Sequence, residues 1–430
     1  MNETNPFALR GVRVTASVLL LASMTIMANA TIAPSLPGLK AHFAGVDGIE
    51  TLSAMLLTLP SLSIMLAAGP IGALADRVDR QKILAVSALL YALGGTSGLW
   101  AVTLPQMLIG RFILGIGVAG TMTLAMAWAA DLWAGAARER YLGLQGAAMS
   151  AGGIVVMLAG GALAALHWRG AFAVYVIVVP VAALALMALA PENRRLLAER
   201  KERRESPAQS APVEPFPWRV FALVGPLSFL FMVTFYIMPT RLPFLLEGIG
   251  VTNAAFVGAI MALMTLASVP GALLYGQVRR FLSPMAIFAW SYGLMGAGLI
   301  LIGMAPGVWT VVLAVVIMGA GMGPSMPNYT TYMMASVPPS QRGRAAGLLT
   351  TSFFAGQFAS PLVTAPLVTA FQLSGAFETM GVALLLLCVV IAIRAGTSRR
   401  MGQMTRPEAP VSDQPSRWPA TIFRIPSSGT

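Results

Sequence analysis

Twelve long apolar segments follow one another along this chain. They lie near 14–36, 51–71, 83–101, 105–128, 142–166, 171–190, 219–243, 255–275, 284–304, 308–331, 345–367 and 375–395. A helix that crosses a bilayer needs about 20 mostly apolar residues, and these segments are of that order. Twelve such helices use about 240 residues, close to the whole apolar inventory. The expected fold is therefore all-α and integral to a membrane. Composition agrees: 57% of the 430 residues are hydrophobic and 10% are charged, against roughly 25% charged in soluble domains.

Several function classes drop out at once. Cys388 is the sole cysteine and His42 and His167 the sole histidines, so neither a disulfide nor a thiolate or histidine zinc centre is expected. Hydrolases and redox enzymes gather titratable groups in a cluster, and none is visible. The expectation is a non-enzyme with no cofactor and no metal, in which a proton gradient is the candidate energy source.

The two halves match at an offset near 204 residues. Gly72 pairs with Gly276, Gly115 and Gly117 with Gly319 and Gly321, and Arg140, Gly143 and Gly152 with Arg344, Gly347 and Gly356. Ala33-Pro34-Ser35-Leu36-Pro37 matches Met238-Pro239-Thr240-Arg241-Leu242-Pro243 with one insertion. The match settles a trap at the start. Arg10, Arg13 and Ala28-Asn29-Ala30 outline a secretory signal peptide, but the segment between them has a repeat partner in the seventh and is kept as helix 1. Two six-helix bundles with pseudo-twofold symmetry are expected, over 1–190 and 218–395, the parallel-repeat plan of transporters. A hydrophilic linker spans 191–217, and a Pro-, Ser- and Arg-rich tail over 396–430 reads as disordered, with Trp418 and Phe423 in it.

The net charge of +12 invites a nucleic-acid reading until the charges are placed. With alternating loops, 24 of the 28 basic residues fall on one side, together with both termini. Lys40, Arg111, Arg169 and Arg241 are the exceptions. That bias is the positive-inside signal. It predicts cytoplasmic termini, an inner-membrane setting and anionic headgroups as neighbours. Nucleic acid is not an expected partner, and a monomer is the expected assembly.

Helix 2 ends in Gly69-Pro-Ile-Gly72-Ala-Leu-Ala-Asp76-Arg77-Val-Asp79-Arg80-Gln-Lys82. This resembles the loop 2–3 signature of the major facilitator superfamily, with Asp79 where that family usually has glycine. The degraded copy Tyr275-Gly276-Gln-Val-Arg279-Arg280, and Arg342-Gly343-Arg344 before helix 11, fit the same family. The resemblance, which is to twelve-helix drug exporters, implies an inter-bundle latch. Asp76 would meet the start of helix 11, with Gly69 and Gly72 permitting close approach and Arg77 and Arg80 completing a charge cluster, into which Asp79 adds a loosening acid. Arg111 resembles the family's helix 4 arginine. An arginine within a span is costly and by default functional, so it is expected either to face a cavity or to snorkel. Gly152-Gly153-Ile-Val-Val156-Met157-Leu-Ala-Gly160-Gly161 is a partial antiporter motif, with Val156 and Met157 where exporters carry Gly-Pro.

No carboxylate sits clearly at mid-membrane; Asp131, at the end of helix 4, is the nearest. The substrate cavity is expected between the bundles near the midplane. Its candidate residues are Asn29, Arg111, Tyr236, Gln357 and Asp131, with Thr25, Phe231, Phe235, Phe353 and Phe354 nearby. Buried amides need partners, which singles out Asn29 and Gln357. The function expected is alternating-access transport of a small, amphipathic organic molecule, with proton-coupled export ahead of metabolite uptake. A non-transporting membrane receptor or scaffold is the alternative from another class.

Overall fold

The structure is a computed structural model that describes residues 11–205, 215–338 and 341–404, with the backbone alone at 29, 30, 136, 139, 199–205 and 395–404. Among the described residues, eleven helical stretches are long and apolar enough to span a membrane. The last of them, Arg342–Met404, is two helices joined at Gln372, whose φ of 62° and ψ of 179° break the helical path. That backbone region is disfavoured for any side chain. The twelve helices are α1 (Val12–Ala30), α2 (Ile49–Ala75), α3 (Arg80–Gly95), α4 (Leu104–Leu132), α5 (Gly135–Leu166), α6 (Val178–Glu205), α7 (Trp218–Gly248), α8 (Ala254–Leu273), α9 (Pro284–Gly303), α10 (Val308–Met322), α11 (342–371) and α12 (373–404). No strand occurs among the described residues. The loops carrying Arg77, Arg138, Arg279 and Arg342 share one end of the molecule, called here the basic end.

Hydrophobic burial cannot drive helices together in lipid, so close backbone packing has to. The glycines show how. A Cβ on Gly117 would lie 2.4 Å from the Tyr91 nitrogen and 2.6 Å from the Ser87 carbonyl, so α4 packs backbone against backbone on α3. A Cβ on Gly321 would lie 2.9 Å from the Ser291 carbonyl and 3.3 Å from the Met295 nitrogen. Those partners are each 204 residues on from the first pair. Gly115 likewise abuts the Pro60 carbonyl, and Gly319 abuts that of Met264. The repeat is thus preserved in packing and not merely in sequence. Each half pairs its first helix with its fifth, its second with its fourth and its third with both its fourth and sixth.

Large apolar side chains face outward along these helices, among them Leu66, Val86, Leu89, Ile109, Leu313, Leu386 and Val389. Outward apolar surface suits a lipid neighbour. Exposed Trp100 and Trp309 stand at helix ends opposite the basic end, where an aromatic belt belongs.

Two boundaries differ from the sequence expectation. The stretch read as linker from 191 continues α6 as helix to Glu205. Asn193 within it is buried at 3% exposure, and its amide donates to the Asp79 carboxylate at 2.7 Å, so this turn is anchored to the N-terminal bundle. The helix α12 runs past Gly396 to Met404; Trp418 and Phe423 lie outside the described residues.

Inserting a methyl-bearing side chain into a closed helix contact costs about 1–3 kcal/mol. Gly117→Val and Gly321→Val should each lower the thermal unfolding temperature in detergent. Gly143→Val, placed where a Cβ meets nothing within 4 Å, should leave it unchanged.

Candidate functional site

The two bundles meet through α2 with α11, α5 with α8, and the segment after α1 with α7. The contacts at the end opposite the basic end are tight. A Cβ on Gly161 of α5 would lie 2.9 Å from the Ala254 carbonyl and 3.2 Å from the Gly258 Cα of α8, and one on Gly258 would lie 2.8 Å from the Met157 carbonyl. Gly160 beside it abuts the Thr31 carbonyl. The partial antiporter motif therefore supplies a seam: its glycine pair brings α5 onto both α1 and α8. Near the basic end the picture reverses. Gly69, Gly143, Gly146, Gly276, Gly343 and Gly347 are exposed, with nothing within 4 Å of a built Cβ.

At mid-span the seam is polar. Ser61 of α2 donates to the Gln357 side-chain oxygen of α11 at 2.7 Å. The Gln357 amide nitrogen lies 3.8 Å from the Met232 sulfur of α7. Gln357 thus lies at the interface of the bundles, with a hydroxyl from the opposite bundle as its partner. Tyr236 is buried at 4% exposure, edge-on to Phe235. Phe231 and Phe353 both pack on the Tyr329 ring, so they build the C-terminal bundle. The side chain of Asn29 lies outside the described residues.

Arg111 neither faces the seam nor snorkels. It is fully buried inside the N-terminal bundle. Its Nε donates to the Leu56 carbonyl at 2.8 Å, and its Nη2 donates to the Ala28 carbonyl and the Tyr175 hydroxyl, both at 2.9 Å. The guanidinium carbon lies 5.0 Å from the Tyr175 ring centre and 5.8 Å from that of Phe172. The local reason is in α2. Proline at 60 has no N–H, which leaves the carbonyl four residues back, that of Leu56, without its helical donor. Arg111 supplies the missing donor. Hydrogen bonds to a charged group contribute about 1.5–3 kcal/mol each, and a desolvated ring contact about 2 kcal/mol. Together these are comparable to the several kcal/mol that burying a cation costs. Arg111 is a tie among α1, α2, α4 and the segment before α6.

The basic-end motif is also partly a tie. Arg80 is 4% exposed and pairs with Asp131 at 2.9 Å, joining the start of α3 to the end of α4. Asp131 thereby has a structural role at the bundle's end, away from the mid-span seam. Asp79 does not loosen the cluster. It caps α3 by accepting from the Gln81 N–H at 2.9 Å, and it accepts from Asn193 as well. Asp76 and Arg77 are exposed at the end of α2. Gly69 has no close neighbour, and Gly72 has only a Thr123 methyl at 3.7 Å, so neither glycine makes a close helix approach in this conformation.

Sequence reasoning misses Ser61, Met232 and Gly258 as seam residues, and Glu50 and Arg241 at the seam's outer rim. A serine inside a span and a Gly-x-x-x-Ala pair such as Gly258 and Ala262 give too little signal alone. The seam has its own symmetry, the second helix of each half meeting the fifth of the other, but the residues differ: Ser61 corresponds to Thr265 and Gln357 to Gly153 at the 204-residue offset.

Arg111→Ala and Arg111→Lys should both destabilise, because lysine lacks the planar fork that reaches three acceptors. Each stranded carbonyl costs about 1–3 kcal/mol. Thermal unfolding in detergent checks this; a lysine variant with unchanged unfolding would show that the tie is not structural.

The family model described as Major Facilitator Superfamily matches residues 18–286 and 242–424. The tetracycline resistance protein, class C, of Escherichia coli is 26% identical over 411 residues, covering 89% of this chain and 98% of that protein. The minor myo-inositol transporter IolF of Bacillus subtilis (strain 168) is 25% identical, covering 70% and 72% respectively. A crystal structure of a D-xylose-proton symporter superposes with a TM-score of 0.70 at 16% identity, over 88% of this chain and 96% of that one. Two matched six-helix halves, glycine-built helix contacts and a full-length family match agree: the chain is a multi-pass membrane protein of the Major Facilitator Superfamily of transporters.

Proposed function

We propose that the chain is a secondary active transporter that exports a small amphipathic organic molecule in exchange for protons, by rocking its two bundles about the seam. The observation that carries this reading is one-sided closure. The bundles touch backbone to backbone at Gly161 and Gly258, while at the opposite end a Cβ on Gly69, Gly143, Gly146, Gly343 or Gly347 would meet nothing within 4 Å. A transporter of alternating access needs this asymmetry and its inverse. The seam offers a hydroxyl, an amide and a thioether at Ser61, Gln357 and Met232. That lining suits a substrate with few charges. Full-length similarity to a tetracycline resistance protein supports the export direction. In this reading the basic end is cytoplasmic by the positive-inside rule, the membrane is the inner membrane, and its anionic headgroups meet the basic loops.

A second reading is uptake of a polyol or sugar. The myo-inositol relative and the paired hydroxyl and amide of the seam favour it. Proteoliposome flux separates the two. With an acidic lumen, an antiporter lets protons run outward and drives tetracycline inward. A symporter instead accumulates myo-inositol when the outside is acidic. Export is the expected outcome; accumulation of myo-inositol with an acidic exterior, and no tetracycline flux, overturns it. Flux of either probe that ignores the gradient removes proton coupling.

The latch of Asp76 with the start of α11 belongs, in this reading, to the opposite state, when the basic end closes. A carboxylate at a helix C-terminus is unfavourable unless another helix N-terminus faces it. Asp76→Asn should raise maleimide labelling of a cysteine placed at exposed Gly347, in a Cys388→Ser background, by shifting the population toward the basic-end-open state. Unchanged labelling removes the latch.

A further inference from the structure

Glu50, at the start of α2, and Arg241, near the end of α7, belong to different bundles. They line one cavity of about 350 Å3 at the end opposite the basic end, with Lys40, Thr51, Val368 and Thr369. Arg241 is 1% exposed and sits between Pro239 and Pro243 within α7. Its Nε reaches the Thr364 hydroxyl and its Nη2 the Pro361 carbonyl, both at 3.3 Å. These acceptors are neutral, belong to its own bundle and lie just beyond the usual N–H···O range. A buried guanidinium with neutral, long contacts is poorly compensated. Glu50 is the acid among the residues lining its cavity. Lys40 pairs with Glu50, and its ammonium lies 5.6 Å from the ring centre of Phe244 on α7. The charged groups facing Glu50 are thus Lys40 from its own bundle and Arg241 from the other. His42, on the same short helix as Lys40, is turned to Phe43 and Trp168.

We propose that Glu50 holds the bundles shut at this end by acting as the counter-charge of Arg241 across the interface, so that its charge sets how often the end opens. Separating the bundles here carries the carboxylate away while the guanidinium stays between its two prolines. The seam glycines provide contact; Glu50 provides the electrostatic cost of leaving it. Glu50 is a positioning residue, acting through Arg241, and touches no substrate in this scheme. The inference rests on alternating access and is independent of substrate, direction and coupling ion.

The test reads conformation directly. Spin labels at Val102 and Trp309, exposed residues near this end of opposite bundles, are introduced as Val102→Cys and Trp309→Cys in a Cys388→Ser background. Pulsed-dipolar distances in nanodiscs give the fraction of molecules open at this end. Glu50→Gln should raise the ratio of open to closed molecules by about threefold or more, the scale of a partly exposed ion pair. Glu50→Lys should raise it further, and Glu50→Asp should stay near the unsubstituted protein. Lys40→Met should raise it less than Glu50→Gln, because Arg241 keeps its counter-charge. Gly258→Leu, which wedges the seam, serves as the reference for an opened end, and thermal unfolding verifies that each variant is folded. Should Glu50→Lys fail to fold, Glu50→Gln decides. If Gly258→Leu opens the end and Glu50→Gln does not, the proposal is overturned and alternating access stands. If Lys40→Met matches Glu50→Gln, Glu50 acts through Lys40 and the proposal is likewise overturned. If no variant opens the end, the alternating-access reading falls with it.

Discussion

Everything in this molecule depends on how closely two helix backbones can approach in lipid. Water does not press these helices together, because the hydrocarbon around them is as apolar as their own side chains. What remains is direct contact and the satisfaction of stray polar groups. The glycines of α4 and α10 meet the third helix of each half at distances that a methyl group would close. The same device recurs between the halves, where Gly161 and Gly258 meet the Ala254 and Met157 carbonyls. Contacts within and between the halves are thus built from the same residue.

Much of this was legible in the residues. Segment lengths, the basic-residue bias and the offset of 204 positions gave twelve helices in two matched sets. The pairing of Gly117 with Ser87 and Gly321 with Ser291 shows that the offset reflects packing. Gln357 was legible too, since an amide in hydrocarbon requires a partner, and the partner is Ser61. Arg111 was not. Its cost in a span was correctly felt, but its solution depends on Pro60, fifty-one positions earlier, freeing a carbonyl at the height of α4 where the guanidinium lies. A one-dimensional pattern does not show which orphan acceptor a cation will find. Asp79 was misread for a related reason: it was weighed as a charge, whereas it works as a helix cap and as the acceptor for Asn193.

The two halves are not equal. The position that corresponds to Arg111 in the second half is Val315, so no cation stands at that place in the repeat. In that half the hydroxyls of Tyr292 and Tyr329 meet each other and the Leu227 carbonyl. The first half joins α1, α2 and α4 through a charged group, and the second joins α7 to α9 through neutral hydroxyls. Symmetry of contact has been kept while the chemistry of satisfaction has diverged.

The tie at Arg111 also bears on how the chain is made. Domains generally fold from the N-terminus during synthesis, and a cation entering a bilayer on a lone helix is expensive. The carbonyls of Ala28 and Leu56 lie upstream of Arg111, so the acceptors precede the donor into the membrane. Tyr175 follows and closes the cage. In order of birth, the costly residue arrives only after its hosts, and a rearranged chain that put α4 first would meet the bilayer with that charge bare.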